Sequence, residues 1–492
     1  MIRARRIAAS VAAASMTLAA AGILRMAVRA DAAPPAPPAP SEFIISADKV
    51  YPVATPAIDG GSVWVKDGKI VQVGKIEEDG AGGRIMTCVD GCALQIRADM
   101  PIVDAEGEWI FPGMIDAHTA VGLIEVAKEP TVNDEDEGPV DPLTPQLLAR
   151  DGIWPETTVV PVTRVEGITS VLVVPANHRF TYFGGGNVIA GQSALIDLWG
   201  DTVEQMLVKS PVGMHVNLGE WPKDRYRAKN RMPTTRMGTA AVLRQALLDA
   251  QTYRGKWDRY NKDLAAWQDG GGSGKGKGAP SGSKEGSKGS AKAPDRPERD
   301  LRKESLIPVL TGEVPIIVRA HRADDILTGI AIADEFGLRM ILDQGTEAYK
   351  VAGELVKRRI PVLVGPVTTQ PDRMETLGAI YENAAKLQAA GVKIAIQTDE
   401  VHHVRHLPFE AGLAVAYGLP WEEAIRAITL SPAEIFGVQD RIGSLVPGAE
   451  ANLFFAEGDP LEPATKIRKV YIRGVPIPMT NRQTELYNRF AK

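Results

Sequence analysis

The stretch "WIFPGMIDAHTAVGL", from Trp109 to Leu123, contains the pattern that decides the fold. An apolar run leads into a turn that presents Asp116 and His118. Side chains two positions apart on a strand point to the same side, so a second histidine at position 120 would aim at the same point as His118. Position 120 is alanine. The stretch therefore predicts a buried strand that delivers one imidazole to a place where two could have met.

Short apolar runs of the same kind alternate with helical stretches through the centre of the chain. The runs are "ITSVLVVPA", "VPIIVRAH", "LRMILDQ", "IPVLVGP" and "VKIAIQTD". This alternation predicts a parallel sheet covered by helices. We expect helices that end at Gly337 and that begin at Pro420 and Pro432. The number of strand–helix units favours a closed α/β barrel of eight strands over an open sheet.

The two ends of the chain have a different sequence pattern from the centre. From Ser41 to about Ile110 the sequence is strand-like and rich in turns, with a hairpin predicted at Asp67-Gly68, and short β-runs return between Asp440 and Pro478. The predicted organisation has a signal segment at 1–32, an Ala/Pro tether at 33–40, a β-domain from 41–112 and 438–492, and a barrel at 113–437 with an insertion at 269–298.

Bulk composition limits the classes of partner. The chain has 492 residues, of which 44% are hydrophobic and 24% charged, with a formal charge of −5. The first 32 residues hold five arginines and one aspartate, so their removal changes the charge to −9. A chain without a basic excess is not expected to bind nucleic acid. A small-molecule substrate is the expected partner, and the composition allows a homo-oligomer.

The first 32 residues predict export. "MIRARR" gives a positive start, "IAASVAAASMTLAAAGIL" an apolar run, and "ADA" before Ala33 a small-residue cleavage signature. We expect a periplasmic or secreted protein with no stable membrane span after cleavage. An uncleaved anchor is the alternative, and Arg5-Arg6 leaves a twin-arginine route open.

Two other segments have local interpretations. Cys88 and Cys92 are the two cysteines of the chain, and in an oxidising compartment they predict a disulfide, with free thiols or a metal pair as alternatives. The insertion "GGGSGKGKGAPSGSKEGSKGSAKAP" lacks the apolar content needed for a core and is expected to be a flexible linker. A tether for an anionic polymer is its alternative function.

Residues suited to metal chemistry stand at the ends of three predicted strands. "FPGMIDAH" ends in His118, "VPIIVRAH" in His321 and "VKIAIQTD" in Asp399. Catalytic groups of α/β barrels collect at the carboxyl ends of the strands, and two imidazoles with one carboxylate suffice for a zinc-like site with a position for water. Asn177 and His178 end another strand and could touch the substrate.

Three histidines follow Asp399 in "DEVHHVRH". His402, His403 or His406 could swing back to supply a missing ligand, or all three could face solvent as ordinary loop residues. The sequence leaves this choice open.

These stretches together resemble the amidohydrolase superfamily, near the imidazolonepropionase-related branch of exported bacterial proteins. The matching segments are "FPGMIDAH", "VEGITSVLVVPA", "GMHVNLGEWPK", "TRMGTAAVLRQAL", "RAHRADDI", "GTEAY", "GVKIAIQTD" and "IGSLVPGAEANLFF". The resemblance implies a (β/α)8 barrel with a small β-sandwich built from both chain ends. It also implies one divalent metal, with zinc expected, that activates water against a carbon–nitrogen bond other than a linear peptide bond.

The resemblance assigns roles residue by residue. His118 matches the first histidine of the His-x-His pair, and Ala120 stands in place of the second. His321 matches the ligand of the fifth strand. Gln344 occupies the position of the sixth-strand histidine and could hydrogen-bond a substrate carbonyl. Asp399 matches the eighth-strand aspartate, which implies a metal ligand that also accepts the proton of the water.

The fourth strand, "GMHVNLGEWPK", is where family members contribute a carboxylate or a modified lysine to the metal. Glu220 is the candidate ligand, with Lys223 behind it. A surface ion pair between these two residues is the alternative.

Two functions therefore compete. The first is an exported, metal-dependent amidohydrolase in which His118, His321, Asp399 and Glu220 hold the metal. The second is a barrel kept as a binding or structural module, favoured by Ala120 and Gln344. A third possibility, a transporter accessory or cell-surface anchor, has no specific motif. Convergence of the ligand atoms to about 2 Å from one point would favour the enzyme.

Overall fold

The structure, a computed structural model, describes residues 40–79, 82–126, 129–135, 141–175, 186–269, 292–371 and 373–491. The predicted signal segment, nearly all of the tether and most of the insertion lie outside the described residues, as do Asn177 and His178. Contacts group Pro40–Lys492 into one unit, so the predicted boundaries inside it stay predictions. Among the described helices, none has the length and apolar character needed to cross a bilayer.

Twenty strands are formed in the described ranges. They are β1 (Glu42–Val50), β2 (Ile58–Asp59), β3 (Gly61–Lys66), β4 (Lys69–Glu78), β5 (Arg84–Cys88), β6 (Ala93–Ile96), β7 (Ile102–Pro112), β8 (Met114–Thr119), β9 (Ile168–Val173), β10 (Ile189–Gln192), β11 (Ala194–Asp197), β12 (Leu207–Lys209), β13 (Met214–Asn217), β14 (Ile316–Ala320), β15 (Met340–Gln344), β16 (Val362–Val364), β17 (Ile394–Ile396), β18 (Leu453–Ala456), β19 (Ile467–Ile472) and β20 (Val475–Pro476).

The α-helices of the same ranges lie mainly between the strands of the centre. They are α1 (Val159–Arg164), α2 (Val203–Met206), α3 (Glu220–Arg227), α4 (Arg236–Asp269), α5 (Leu301–Leu310), α6 (Ala323–Phe336), α7 (Ala352–Arg358), α8 (Asn383–Ala389), α9 (Leu407–Ala416), α10 (Trp421–Ala427), α11 (Leu430–Phe436) and α12 (Arg482–Phe490).

Both ends of the chain contribute to one sheet of ten strands, which we call the terminal sheet. Its order is β20-β19-β18-β7-β1-β3-β4-β5-β6, with β2 paired to β1. Strands from the start and the end of the sequence are therefore hydrogen-bonded neighbours, as the similar strand-rich pattern of the two ends suggested. The sandwich arrangement of this region stays a prediction.

The predicted hairpin between β3 and β4 is confirmed. Asp67 and Gly68 form its turn with φ of 49° and 79°. Two successive residues with positive φ are what a two-residue turn between twisted strands requires, and Asp-Gly tolerates that conformation.

The centre of the chain forms two smaller sheets, which we call the central sheets. One has the order β10-β13-β14-β15-β16-β17 and the other β12-β11-β9-β8. Pairing is parallel from β13 to β17 and between β8 and β9. Strand β10 pairs antiparallel with β13, and β11 pairs antiparallel with β9 and with β12. The fold is thus mixed α/β, with the parallel pairing that the alternating sequence predicted.

The two central sheets meet at their edges. The Asp399 amide donates to the His118 carbonyl at 3.2 Å, and the Ala120 amide to the Glu400 carbonyl at 3.3 Å, which joins the ends of β17 and β8. At the other side, the Ser193 amide between β10 and β11 donates to the Gly213 carbonyl at 3.1 Å. The strands approach a ring, but they divide into two hydrogen-bonded sheets, so the closed eight-stranded barrel stays a prediction.

The predicted helix boundaries agree with the structure where a capping residue ends or begins the helix. Helix α6 ends at Gly337, whose φ of 66° is the left-handed C-cap that glycine permits, and its buried face includes Ile326 and Ile330. Helix α10 follows Pro420. Helix α11 begins at Leu430, two residues before the predicted start at Pro432, since proline is tolerated anywhere in a first turn.

The Cys88–Cys92 disulfide is formed in the structure and closes the turn between β5 and β6. Because the loop it closes is very short, we expect its loss to cost about 2 kcal/mol or less. Urea unfolding of the Cys88→Ala/Cys92→Ala variant should give that difference, and thiol titration of the denatured, unreduced wild type should find no free cysteine. Two free thiols would contradict the disulfide.

Asp197 connects the central sheets to the terminal sheet. Its Oδ1 accepts from Ser170 Oγ at 2.7 Å and from Asn452 Nδ2 at 3.1 Å, and its Oδ2 lies 3.4 Å from Arg473 Nε. Burial, with repulsion from Glu450, raises the pKa of Asp197 to about 6. The folded protein therefore holds this proton more tightly than the unfolded chain.

We expect a pH dependence from this proton. Because the folded pKa is raised, the free energy of unfolding should fall by about 1–3 kcal/mol as the pH rises from about 4 to about 6. Asp197→Asn, which has no proton to lose, should lack that part of the decline. Urea midpoints of wild type and variant across this range measure the effect, and parallel curves would contradict it.

Candidate functional site

A layer of buried polar side chains lies above the apolar interior of the central sheets. Apolar residues of β14, β15 and β17 pack in one interior cluster. Two positions further along these strands stand Arg319, Asp343 and Gln397, which face the same side because side chains alternate along a strand. All three are at most 3% exposed. Charged groups thus occupy the place where catalytic side chains of parallel α/β folds collect.

Asp399 forms a two-pronged ion pair with Arg319. The guanidinium Nη1 donates to Oδ1 at 3.2 Å and Nη2 to Oδ2 at 2.9 Å. Both side chains are buried, and the Trp221 ring covers the guanidinium, with 4.0 Å between Cζ and the ring centroid. Arginine suits this role because its planar fork matches a carboxylate and stacks on aromatic rings. Both carboxylate oxygens of the predicted catalytic aspartate are therefore bound to a cation of the chain itself.

His118 lies between two buried carboxylates. Its Nδ1 is 3.2 Å from Asp343 Oδ2 and its Nε2 is 3.3 Å from Asp399 Oδ1. Burial opposes the imidazolium charge, but Asp343 and Asp399 outweigh it and raise the pKa of His118. Burial also opposes the charge of Asp343, yet His118 and Arg319 hold its pKa below the ordinary value.

The layer pairs its buried carboxylates with basic groups of the chain. Arg319 supplies a positive charge to Asp399, and His118 lies between Asp343 and Asp399. Buried charges persist when they are paired in this way. A divalent cation at Asp399 would have to displace the guanidinium and would then repel it across a few ångströms of low-dielectric interior. The residues present therefore do not fit a resident divalent metal at this point.

His215, on β13, adds a neutral imidazole to the layer. Its ring stands edge-on to that of His118, with 6.0 Å between centroids. Burial, and then the charge of His118, lower the pKa of His215 to about 3. Sequence reasoning missed His215, Arg319 and Asp343. The available signal was the same in each case, a polar residue within an apolar strand.

Asp116 holds the backbone next to the layer by hydrogen bonds. It accepts from Thr398 Oγ1 at 2.6 Å, from the Thr398 amide at 3.2 Å and from the His118 amide at 3.1 Å. Burial raises the pKa of Asp116 to about 7. The carboxyl group fixes the ends of β8 and β17 relative to each other, so it acts as a positioning group.

His321 and Glu220 belong to a second cluster, centred on Glu375. His321 Nδ1 shares a hydrogen bond with Thr346 Oγ1 at 2.7 Å, and its Nε2 is 3.8 Å from Glu375 Oε1. The Glu220 amide donates to Glu375 Oε2 at 2.8 Å, while the Glu220 carboxylate lies 4.0 Å from Arg236 Nη2. Burial raises the pKa of Glu375 to about 7. The residues around Glu375 carry no motif that would have singled it out.

The predicted metal ligands do not meet at one point. In the part of the chain that the structure describes, the one group of three His, Cys, Asp or Glu side chains with ligand atoms within 4.8 Å of one another is Cys88, Asp90 and Cys92. Two members of that group are bonded to each other. The metal-ligand roles of His118, His321, Asp399 and Glu220 stay predictions.

The three histidines that could have supplied a missing metal ligand lie elsewhere. His402 Nε2 is 3.1 Å from the Glu125 carbonyl oxygen, and the His403 and His406 rings stack at 4.9 Å. Within the described ranges these three histidines form no three-ligand group with the central layer. Ala120 packs in the large apolar core.

A cleft opens beside the central layer at the carboxyl ends of the strands. Its volume is about 20 Å³, room for about one water molecule, and its lining residues are Trp221, Arg319, His321, Gln344, Pro366, Thr369, Arg373, Thr376 and Asp399. A neighbouring cleft of about 20 Å³ shares Gln344, Pro366 and Thr369 with it. Gln344 and Asp399 have positive φ, 69° and 52°. Such backbone strain in non-glycine residues concentrates at functional sites.

Comparison with known proteins gives a consistent result. A model of the Amidohydrolase family matches residues 340–477. The crystal structure of an amidohydrolase from Thermotoga maritima MSB8 is 33% identical, with a TM-score of 0.74, and the match covers 89% of this chain and 100% of that one.

Two other matches are more distant. Amidohydrolase tasK of Hapsidospora irregularis is 24% identical over 400 residues, 78% of this chain, and the chain spans 38% of that relative's length. A crystal structure of an uncharacterized protein is 16% identical with a TM-score of 0.50, covering 89% of this chain and 99% of that one, which is a likeness of fold alone.

Proposed function

Because the chain belongs to the amidohydrolase family, we propose that it is a metal-independent member that binds a small-molecule amide. The binding site would be the cleft at the carboxyl ends of the strands of an eight-stranded barrel. The leader-like sequence of residues 1–32 supports a location in the periplasm or outside the cell.

One observation carries this proposal: the ion pair between Arg319 and Asp399. In the implied mechanism, the carboxylate of Asp399 would hold the metal and accept a proton from water. Here both of its oxygens accept from Arg319. A carboxylate whose two oxygens both accept from a guanidinium has fewer lone pairs available to coordinate a metal. The chain retains the strand ends that build a ligand site, while the charge that a metal would supply comes from Arg319.

Metal-dependent hydrolysis of carbon–nitrogen bonds is the second candidate function. The distance of 3.3 Å between His118 Nε2 and Asp399 Oδ1 favours this function, since two side chains suited to metal ligation lie next to each other. Arg319 would have to leave Asp399 for a divalent metal, with zinc expected, to be held there.

Metal analysis separates the two candidates. Wild-type protein equilibrated with micromolar zinc and then desalted should carry well below one equivalent, because Arg319 neutralises Asp399. Plasma mass spectrometry gives the content, and Asp399→Asn is the matched control. Close to one equivalent in the wild type and none in the variant would contradict the proposal and establish the second candidate.

Binding of amides without a metal is tested separately. A panel of small amides should include compounds that raise the melting temperature with EDTA present and that mass spectrometry finds intact after incubation. Cleavage of those amides, abolished by EDTA, would again favour the hydrolase.

A further inference from the structure

A large cleft lies at the amino ends of four parallel strands, on the opposite edge of the sheet from the central layer. Its volume is about 850 Å³. The residues just before β14, β15, β16 and β17 line it, together with the last turns of α6, α7 and α11. Sites for small organic ligands usually occupy about 300–1,000 Å³, so this amino-end cleft has the size of a ligand site.

The amino-end cleft has an apolar floor. Met340, Leu355 and Ile360 are buried beneath it, while Leu338 and Pro361 are half-buried and Val356 is exposed. Water in contact with such surface is displaced favourably by an apolar group. The floor therefore favours a ligand with a hydrocarbon body.

The cleft also carries an excess of positive charge. Its charged lining residues are the cations Arg339, Arg358, Arg359 and Lys393 and the carboxylates Asp334 and Glu434. Arg358 Nε lies 2.9 Å from Asp334 Oδ2, and Lys393 Nζ lies 2.7 Å from Glu434 Oε2. Arg339 donates instead to the neutral Gly312 carbonyl at 3.1 Å. Among the described residues, neither Arg339 nor Arg359 forms an ion pair.

The helix ends at this edge offset only part of that charge. Each carboxyl end of a helix carries about half a negative charge, whose effect fades within one turn. The ends of α6, α7 and α11 together therefore contribute less than the two unpaired guanidinium groups. Burial, and then the charge of Arg339, lower the pKa of Lys209, while Asp440 acts in the opposite direction. Positive groups thus repel one another here, and an anion would relieve the repulsion.

Arg359 is held at a conformational cost. It is the C-cap residue of α7 and has a φ of 55°, in the left-handed region that glycine adopts most easily. An arginine at this position places an exposed guanidinium at the cleft, which glycine could not do. A ligand from solvent can reach that group.

We propose that the amino-end cleft binds an amphipathic organic anion, with one carboxylate or phosphate head group and an apolar body. The guanidinium groups of Arg339 and Arg359 supply the positive charge for the head group, and the body lies on the apolar floor. A cation would be repelled, and an inorganic anion would leave the floor in contact with water. This site is separate from the cleft of the proposed function, because the two lie at opposite ends of the same strands.

Calorimetry with matched probes tests the proposal. Octanoate and octyl phosphate carry both parts of the ligand, whereas octanamide lacks the charge and acetate lacks the body. Titrated into the full chain at neutral pH, at least one octyl anion should bind about tenfold or more tightly than octanamide and acetate. The tighter of the two octyl anions identifies the head group as carboxylate or phosphate. Equal affinities of both anions and octanamide, or no binding of either anion at millimolar concentration, would overturn the proposal.

Substitutions locate the site. Arg339→Gln and Arg359→Gly should each weaken the octyl anion by about tenfold and change the affinity of octanamide little. Arg359→Gly should not lower the melting temperature, because glycine suits the left-handed C-cap. Lys357→Gln is the matched control, since Lys357 is an exposed cation of α7 that does not line the cleft. Equal losses in all three variants, or no loss in either arginine variant, would contradict the proposal.

A second copy of the chain is the competing occupant. In that case octanoate and octyl phosphate would not bind, and Arg339→Gln and Arg359→Gly would shift the protein from dimer to monomer in sedimentation velocity. That result would overturn the proposal. None of these outcomes depends on the zinc content of the wild type, so this proposal and the proposed function fail separately.

Discussion

Replacing Arg319 by methionine should lower the free energy of unfolding by about 3–5 kcal/mol. The substitution removes both donors of Asp399 and leaves its carboxylate buried at 2% side-chain exposure. It also removes a positive charge from the central layer. Urea unfolding followed by circular dichroism at neutral pH gives the change directly.

Two further variants make this result specific. Arg322→Met breaks an exposed ion pair with Asp324 and should change stability by no more than about 0.5 kcal/mol. Adding Asp399→Asn to Arg319→Met should recover part of the loss, because no carboxylate is then left unpaired. An unchanged stability in Arg319→Met would contradict the role of Arg319 as the cation that stabilises buried Asp399.

Replacing Gly365 by alanine should lower the free energy of unfolding by roughly 2–5 kcal/mol. Gly365 follows β16 with φ of +133°, and an added Cβ would lie 2.4 Å from the Gln397 carbonyl oxygen. That oxygen belongs to the backbone, so the strand itself would have to move. The displaced segment, which directly follows β17, also carries Asp399, and we expect any ligand affinity to fall with stability.

Gly353→Ala is the matched control for this glycine. Gly353 lies in helix α7, and an added Cβ would meet nothing within 4 Å. Alanine has the higher helix propensity, so the control should be neutral or stabilising by up to about 1 kcal/mol. Equal effects of the two substitutions, measured by urea unfolding, would contradict the close approach at Gln397.

Under the proposed function, the family scaffold would keep its shape in this chain without a metal at the central layer. In the implied family pattern, a metal would draw the strand-end side chains together by its positive charge. In the proposed function the guanidinium of Arg319 would take that role, with His118 placed between Asp343 and Asp399.

Strand-end positions could be predicted from the sequence, but the direction of each side chain could not. In "VPIIVRAH", both Arg319 and His321 are compatible with an inward position, since they are two residues apart. The strand ends at Ala320, and beyond it the chain turns, so His321 reaches Thr346 while Arg319 reaches Asp399. A histidine was the more conspicuous metal ligand, which is why the arginine was missed.

The sequence by itself determined the features that depend on local pattern. Alternating apolar runs and helices, the Asp67-Gly68 turn and the Gly337 cap each follow from the conformational preferences of a few neighbouring residues. The family resemblance came from motifs of the same local kind. Only the tertiary structure decided that Arg319, His118, Asp343 and Asp399 lie within ion-pair distance of one another, although they come from the ends of four strands far apart in the chain. The physical reason is that charge pairing in a low-dielectric interior depends on distances of 3–4 Å between side chains, which no sequence spacing fixes.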